Sequence, residues 1–318
     1  MAMAKAKPVP VSETLGASGS RRHAFALMLA ACRWLPGALS AADGGAPVRL
    51  AISQSVMGDV NLNDARSAMQ IWLNRLAQEA NVVIDLKLID TQAILDCARR
   101  GQVDALALNV VEYRQIADLL DSSQIVTAPG EAGQEQYLIL TKKNSGIRQL
   151  GDLKSRRVCA LKTPKMCLAP AWLFTILAEG HFGFAEQFFG SMAPDAKVSR
   201  VVLPVFFGQA EACLTSKRGF DTMCELNPQV ARDLTVLASS PPMVVTFYIF
   251  RKNYQGVNRE KVTRAMSSLH SSPAGRQLET LFQFENLGVR DASCLASALG
   301  VLEKADRAGS RSGAERVR

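Results

Sequence analysis

The chain has 318 residues, 48% of them hydrophobic and 21% charged, which excludes an intrinsically disordered protein and supplies core for one large or two ordinary domains. Its formal charge of +8 sits mostly at the ends: residues 1–42 hold five Lys/Arg against one acid, residues 303–318 five against three, and residues 43–302 carry only +2. A body this close to neutral gives no support to a phosphate-backbone binder, so no nucleic-acid partner is expected.

Residues 1–42 read as an export signal: Arg21-Arg22, an apolar run from Ala24 to Ala31, then the small residues Ser40-Ala41-Ala42. The run is too short to stay in a bilayer as a spanning helix. Ser40 and Ala42 satisfy the small-x-small rule for ordinary cleavage, whereas Leu29-Ala30-Ala31-Cys32 resembles a lipobox that would lipidate Cys32. The charge of Arg33 fits the lipobox poorly, so ordinary cleavage is favoured. Either route leads to the periplasm, which permits disulfides. Six cysteines remain after cleavage at Ala42. The local candidates are Cys159 with Cys167 and Cys213 with Cys224, and the competing reading is six buried thiols; spacing does not decide between them. Nothing in the Cys and His spacing suggests zinc, and no metal or cofactor is expected.

Downstream, strand and helix signals alternate. Val48–Ser53 is a strand, and a helix capped by Asn63 or Asp64 runs to Ala80 with Ala65, Ala68, Met69, Trp72, Leu73, Leu76 and Ala77 along one face. From Val82 to Ile89 the chain alternates apolar and polar. Thr91 caps a second helix that Gly101 stops. Val103–Leu108 is a third strand and Val111–Leu120 a third helix. Parallel strands with helical crossovers form an open α/β sheet whose ligands sit beyond the strand C-termini. That places Ser53, Gln54 and Ser55 after the first strand, and Asn109 with Tyr113 after the third, at a cleft.

The strand Tyr137–Thr141 ends in Lys142-Lys143, and a second α/β set follows. It comprises a strand Val158–Leu161, a largely apolar helix Leu168–Glu179, a strand Val198–Leu203, a helix around Phe206–Ala210, a short strand Ala212–Leu214 and a helix from Phe220. Val244–Phe250 is a long apolar strand ending in Arg251-Lys252, and helices over Asn258–Leu269 and Pro273–Phe282 come after it. The expected division is lobe 1 over residues 47–140 and 244–302, lobe 2 over 141–243, and a disordered basic tail over 303–318. The hinges are expected near Thr141–Asn144 and Thr246–Tyr248.

A fixed order of short motifs spans residues 48 to about 285. They are Arg49-Leu-Ala-Ile-Ser53, Asp104-Ala-Leu-Ala-Leu-Asn109 followed by Tyr113, Gln136-Tyr137, Ser145-Gly146-Ile147 with Leu150-Gly-Asp-Leu-Lys154, and Gly208-Gln-Ala-Glu-Ala-Cys213. Asn227-Pro228, Ser239-Ser-Pro-Pro242 and Pro273-Ala-Gly-Arg-Gln277 continue the series. This order resembles the phosphate/phosphite/phosphonate-binding family of periplasmic proteins that serve ABC transporters. The resemblance implies the type II periplasmic-binding-protein fold, two α/β lobes joined by two crossing strands and closing on a small anionic solute. It also implies a serine/threonine-rich, glycine-containing turn at the second-lobe helix. Here that turn reads Lys162-Thr163-Pro164-Lys165-Met166-Cys167, so Lys162, Thr163 and Lys165 are the candidates, and specificity for phosphonate is not inherited from the motif. Thr215 and Arg218, after the Ala212–Leu214 strand, complete the set, Arg218 as a two-pronged clamp for an oxyanion.

Enzyme readings have little support. After the signal only His181 and His270 remain, and no Gly-x-Ser-x-Gly, His-Glu-x-x-His or nucleotide-binding glycine motif occurs. The expected function is capture of a phosphonate or another oxyanion for an ABC permease by a monomeric protein. Two readings stay open beside it: a ligand-sensing partner of a membrane signalling protein, and a pyrimidine-precursor-type enzyme on the same fold.

Overall fold

Two mixed sheets carry the fold of the protein, here a computed structural model that describes residues 46–57, 62–282, 284 and 286–316. The expected export signal, with Cys32, lies outside the described residues. In chain order the first lobe begins with β1 (Val48–Ser53), α1 (Leu62–Ala80), β2 (Ile84–Ile89), α2 (Thr91–Arg99), β3 (Ala105–Asn109), α3 (Val110–Arg114) and β4 (Leu120–Thr127). The second lobe holds β5 (Tyr137–Lys142), β6 (Arg157–Leu161), α4 (Ala169–Glu179), α5 (Ala185–Phe188), β7 (Ser191–Asp195), α6 (Val198–Phe206), β8 (Ala212–Ser216), α7 (Lys217–Leu226), α8 (Pro228–Asp233) and β9 (Leu234–Ser239). The chain then returns through β10 (Thr246–Arg251), α9 (Asn258–Ser267), α10 (Pro273–Phe282), β11 (Gly288–Arg290) and α11 (Ala296–Arg316).

The first sheet has the order β11-β4-β10-β3-β1-β2 and the second β7-β6-β8-β5-β9. β1 runs parallel to β2 and β3, and β6 runs parallel to β7 and β8. Each sheet also receives one antiparallel strand from the other lobe's direction: β10 inserts between β3 and β4, and β5 between β8 and β9. The two crossings, residues 128–136 and 240–245, are tied together by reciprocal backbone hydrogen bonds between Glu135 and Met243, 2.7 and 2.9 Å long. In the first crossing a Cβ on Gly133 would lie 1.8 Å from the Ala128 carbonyl oxygen, so only glycine fits. One apolar cluster continues from Leu106, Leu108 and Tyr113 through Met243 and Val245 to Ile139 and Leu214, so the lobes share core at their junction.

Several expectations are corrected. β5 pairs within the second sheet, so the first crossing lies at 128–136, upstream of Thr141–Asn144; Thr141 is buried mid-strand. Because β5 is apolar on both faces, its pattern fits a central strand of either sheet. The expected strand Val198–Leu203 is helix α6, burying Val201, Val202 and Val205 at helical spacing. The strand that pairs beside β6 is instead Ser191–Asp195, an edge strand that tolerates Pro194. Phe207 to Ala210, expected as helix, is a turn with Gly208 at φ +73°. Asp90, not Thr91, caps α2 by accepting from the Ala93 N–H at 2.9 Å. β4, β9 and β11 carry no expectation from the sequence.

Residues 303–316 continue helix α11 rather than forming a loose tail. Its first turns bury Ala298, Val301 and Leu302, and Asp306 pairs with Arg114 of α3 at 2.6 Å. All six described cysteines are free thiols. Cys159 and Cys213 are opposite each other in the register of β6 and β8. Among the described residues, no helix is long and apolar enough to cross a membrane, and no His/Cys/Asp/Glu cluster is placed to hold a metal ion.

Candidate functional site

Between the lobes runs a cleft of about 460 Å³, within the size range of small-molecule sites. The second lobe lines it with two loops that follow parallel strands. Thr163, Pro164 and Lys165 come after β6, and Ser216, Arg218 and Gly219 open α7 after β8. The first lobe supplies Val56 and Met57 after β1 and Phe282 from α10, and the crossing supplies Glu135. This is the position the strand-end rule for α/β sheets requires.

The polar centre is Glu135, Lys165 and Arg218. Lys165 Nζ lies 3.6 Å from Glu135 Oε1, and Arg218 Nη2 donates to the Ala132 carbonyl at 2.7 Å, so both cations are aimed at the crossing. Burial pushes the Glu135 carboxyl above its ordinary range, and the charges of Lys165 and Arg218 only partly oppose it. Burial also pulls the Lys165 ammonium below its ordinary value, against the pull of Glu135. Both partners thus hold their charge at a cost, which a bound anion beside Lys165 would relieve on the cationic side.

The backbone of the Lys165 turn is held from below. The Tyr137 hydroxyl donates to the Lys165 carbonyl at 2.9 Å and accepts the Leu168 N–H at 3.3 Å. Thr163 makes no side-chain cap bond and lines the cleft. At α7, Ser216 is the N-cap, its Oγ accepting the Gly219 N–H at 3.1 Å. A Cβ on Gly219 would approach Val198 Cγ2 to 2.8 Å and that Oγ to 3.0 Å, so glycine lets the helix start close to the cleft wall. The start of a ten-residue helix adds positive potential to the two cations.

The first-lobe candidates do something different. Ser53, Ser55 and Asn109 gather around Glu112, a residue only 1% exposed. Its Oε1 accepts from the hydroxyls of Ser53 (2.6 Å), Ser55 (2.9 Å) and Thr91 (2.6 Å), while Oε2 accepts the Asn109 N–H at 3.0 Å. Asn109 in turn caps α3 and donates from Nδ2 to Ser55 Oγ. These residues lock the ends of β1 and β3 to each other and do not line the cleft. The capping-box spacing Asn109-Val-Val-Glu112 was the available sequence signal for the network. For Glu135, an acid in a connection, no local pattern announced burial.

Four further candidates are corrected. Tyr113 is a core residue, its ring edge-on to Phe247 and its hydroxyl 3.0 Å from Ser122 Oγ. Thr215 is fully buried in β8, because alternation along the strand sends Ser216 to the cleft and Thr215 to the core. Lys162 and Gln54 are exposed and outside the cleft lining. Of the ten candidates, Thr163, Lys165 and Arg218 line the cleft, and the other seven do not.

A family model described as the periplasmic substrate-binding protein of the phosphonate ABC transporter matches residues 56–293. The chain belongs to this family. Its members are extracytoplasmic substrate-binding components of importers rather than enzymes, and membership implies a membrane permease partner and a small anionic ligand. Among solved structures, a protein from Xanthomonas citri bound to ATP is 13% identical, with a TM-score of 0.59 over 83% of this chain and 98% of that one. The binding-protein component of an ABC phosphonate transporter from Pseudomonas aeruginosa is 16% identical, with a TM-score of 0.54 over 83% and 88%. A PhnD protein from Prochlorococcus marinus in complex with methylphosphonate is 13% identical, with a TM-score of 0.53 over 81% and 98%. At these identities the likeness is one of fold, the type II periplasmic-binding fold with its two lobes. No curated protein matches the sequence.

Proposed function

We propose that this protein captures a small oxyanion, with phosphonates the first class to test, in the cleft where Lys165 and Arg218 converge, and delivers it to an ABC permease. The observation that carries this reading is the convergence of two cations and the α7 N-terminus on one cleft with a single buried acid, Glu135. Thr163 and Ser216 supply hydroxyls at the same wall. The Prochlorococcus marinus relative, with methylphosphonate in its complex, supports the same ligand class. Closure of the lobes about residues 128–136 and 240–245 would bring the Val56–Met57 segment onto the ligand, shifting an open–closed equilibrium by differential affinity.

The protein acts as a monomer after ordinary cleavage at Ala42, without a lipid on Cys32. Mass spectrometry of the mature N-terminus and light scattering test these two points. Isothermal titration with methylphosphonate, phosphite, phosphate and sulfate tests the ligand class. At least one anion is expected to bind, and Lys165→Ala and Arg218→Ala each to weaken it by 10- to 100-fold, since a charge-assisted hydrogen bond is worth about 1.5–3 kcal/mol. Unchanged affinity in both variants would refute the assignment of the cleft.

A further inference from the structure

Under the first sheet, on the side covered by α1, α9 and α10, lies a second cavity of about 190 Å³. Ile52, Leu86 and Ala107 form its sheet wall, and Trp72, Met266 and Leu278 its helix wall. Folded cores normally contain few voids larger than one water. Here Ile52 and Ala107 stay partly exposed even though their strands, β1 and β3, are central in the sheet. An apolar cavity of about 150 Å³ is large enough to take up benzene.

The cavity adjoins the anion cleft. Val56, Met57, Glu135, Lys165 and Phe282 line both. Glu135 and Lys165 thus stand at the junction of the two spaces, with a mostly apolar lining beyond them on the chamber side. Tyr248, also in the chamber wall, has a buried hydroxyl with no hydrogen-bond partner among the described residues. A methylphosphonate-sized solute would use the cleft alone and leave the chamber without a role.

We propose that the captured solute is amphiphilic: an anionic head held by Lys165 and Arg218, joined to an apolar group the size of a phenyl ring or short alkyl chain seated in this chamber. The proposal rests on the anion assignment of the cleft and adds the substrate class.

Isothermal titration of the exported chain with methyl-, propyl-, hexyl- and phenylphosphonate tests it. Affinity is expected to rise about fourfold per methylene until the chamber is full, the equivalent of about 0.8 kcal/mol each. Ala107→Leu narrows the chamber and should flatten this rise while leaving methylphosphonate binding intact, which also shows that the variant is folded; Leu73→Phe serves if Ala107→Leu does not fold. Equal affinity for methyl- and hexylphosphonate overturns the inference and leaves the anion cleft standing. Binding of 1-hexanol with no binding of any phosphonate, phosphite or sulfate overturns the anion assignment and this inference with it. A chain-length dependence unchanged by Ala107→Leu also overturns it, because the tail would then lie elsewhere.

Discussion

Glu112 is almost fully buried and Lys165 partly so, and the two side chains are accommodated differently. Glu112 is satisfied by three hydroxyls and a backbone N–H, so Glu112→Ala would strand several buried donors at once. A loss of about 2–4 kcal/mol is expected, measured by urea unfolding, with little change in anion affinity because Glu112 does not line the cleft. Lys165 lies 3.6 Å from Glu135 and has a depressed pKa. Its folded state therefore binds fewer protons than the unfolded chain, so the free protein gains stability as pH rises through the window between the depressed value and the ordinary one of about 10.4. Anion affinity has the opposite sign and falls over that window as the ammonium is lost. Lys165→Arg keeps its charge, so the ratio of wild-type to variant affinity should fall with rising pH, a comparison in which the ligand's own titration cancels.

At the scale of elements, α7 and the turn after β6 set the cleft because each leaves a parallel strand at its C-terminal end. The cap on α7 is Ser216, and Ser216→Ala is expected to cost about 1 kcal/mol of stability. It also removes a cleft hydroxyl, so titration should show weaker anion binding alongside the lower urea midpoint. In α6 tertiary burial overrides local propensity: Val198-Ser-Arg-Val-Val-Leu203 is rich in β-branched residues, yet burial of Val201, Val202 and Val205 against β5, β6 and β8 decides for helix. β7 shows the converse, since Pro194 reads against a strand until the strand is known to lie at an edge.

For the whole molecule, the two crossings joined at Glu135 and Met243 are the paths along which the lobes can move. A ligand held from both sides should favour the closed form, so the radius of gyration from small-angle scattering is expected to decrease when a binding anion is added and to stay constant in Arg218→Ala at the same concentration. α11 constrains the same motion: its core-facing turns pack on α4 of the second lobe, and its Asp306 reaches Arg114 of the first. That ion pair is exposed and worth little in itself, whereas the apolar contacts of Val301 and Leu302 fix the helix.

The α/β class, the elements from β1 to β3, the family and the turn at Thr163–Lys165 were legible in the sequence, because hydrophobic period, caps and motif order are local properties of the chain. Which sheet takes β5, whether Thr215 or Ser216 faces the cleft, and the withdrawal of Ser53, Ser55 and Asn109 into the Glu112 network were decided only by tertiary structure. Each depends on partners distant in sequence: a strand apolar on both faces suits either sheet, a one-residue change of phase exchanges core for cleft, and a hydroxyl bonds whichever buried carboxylate the fold brings within reach.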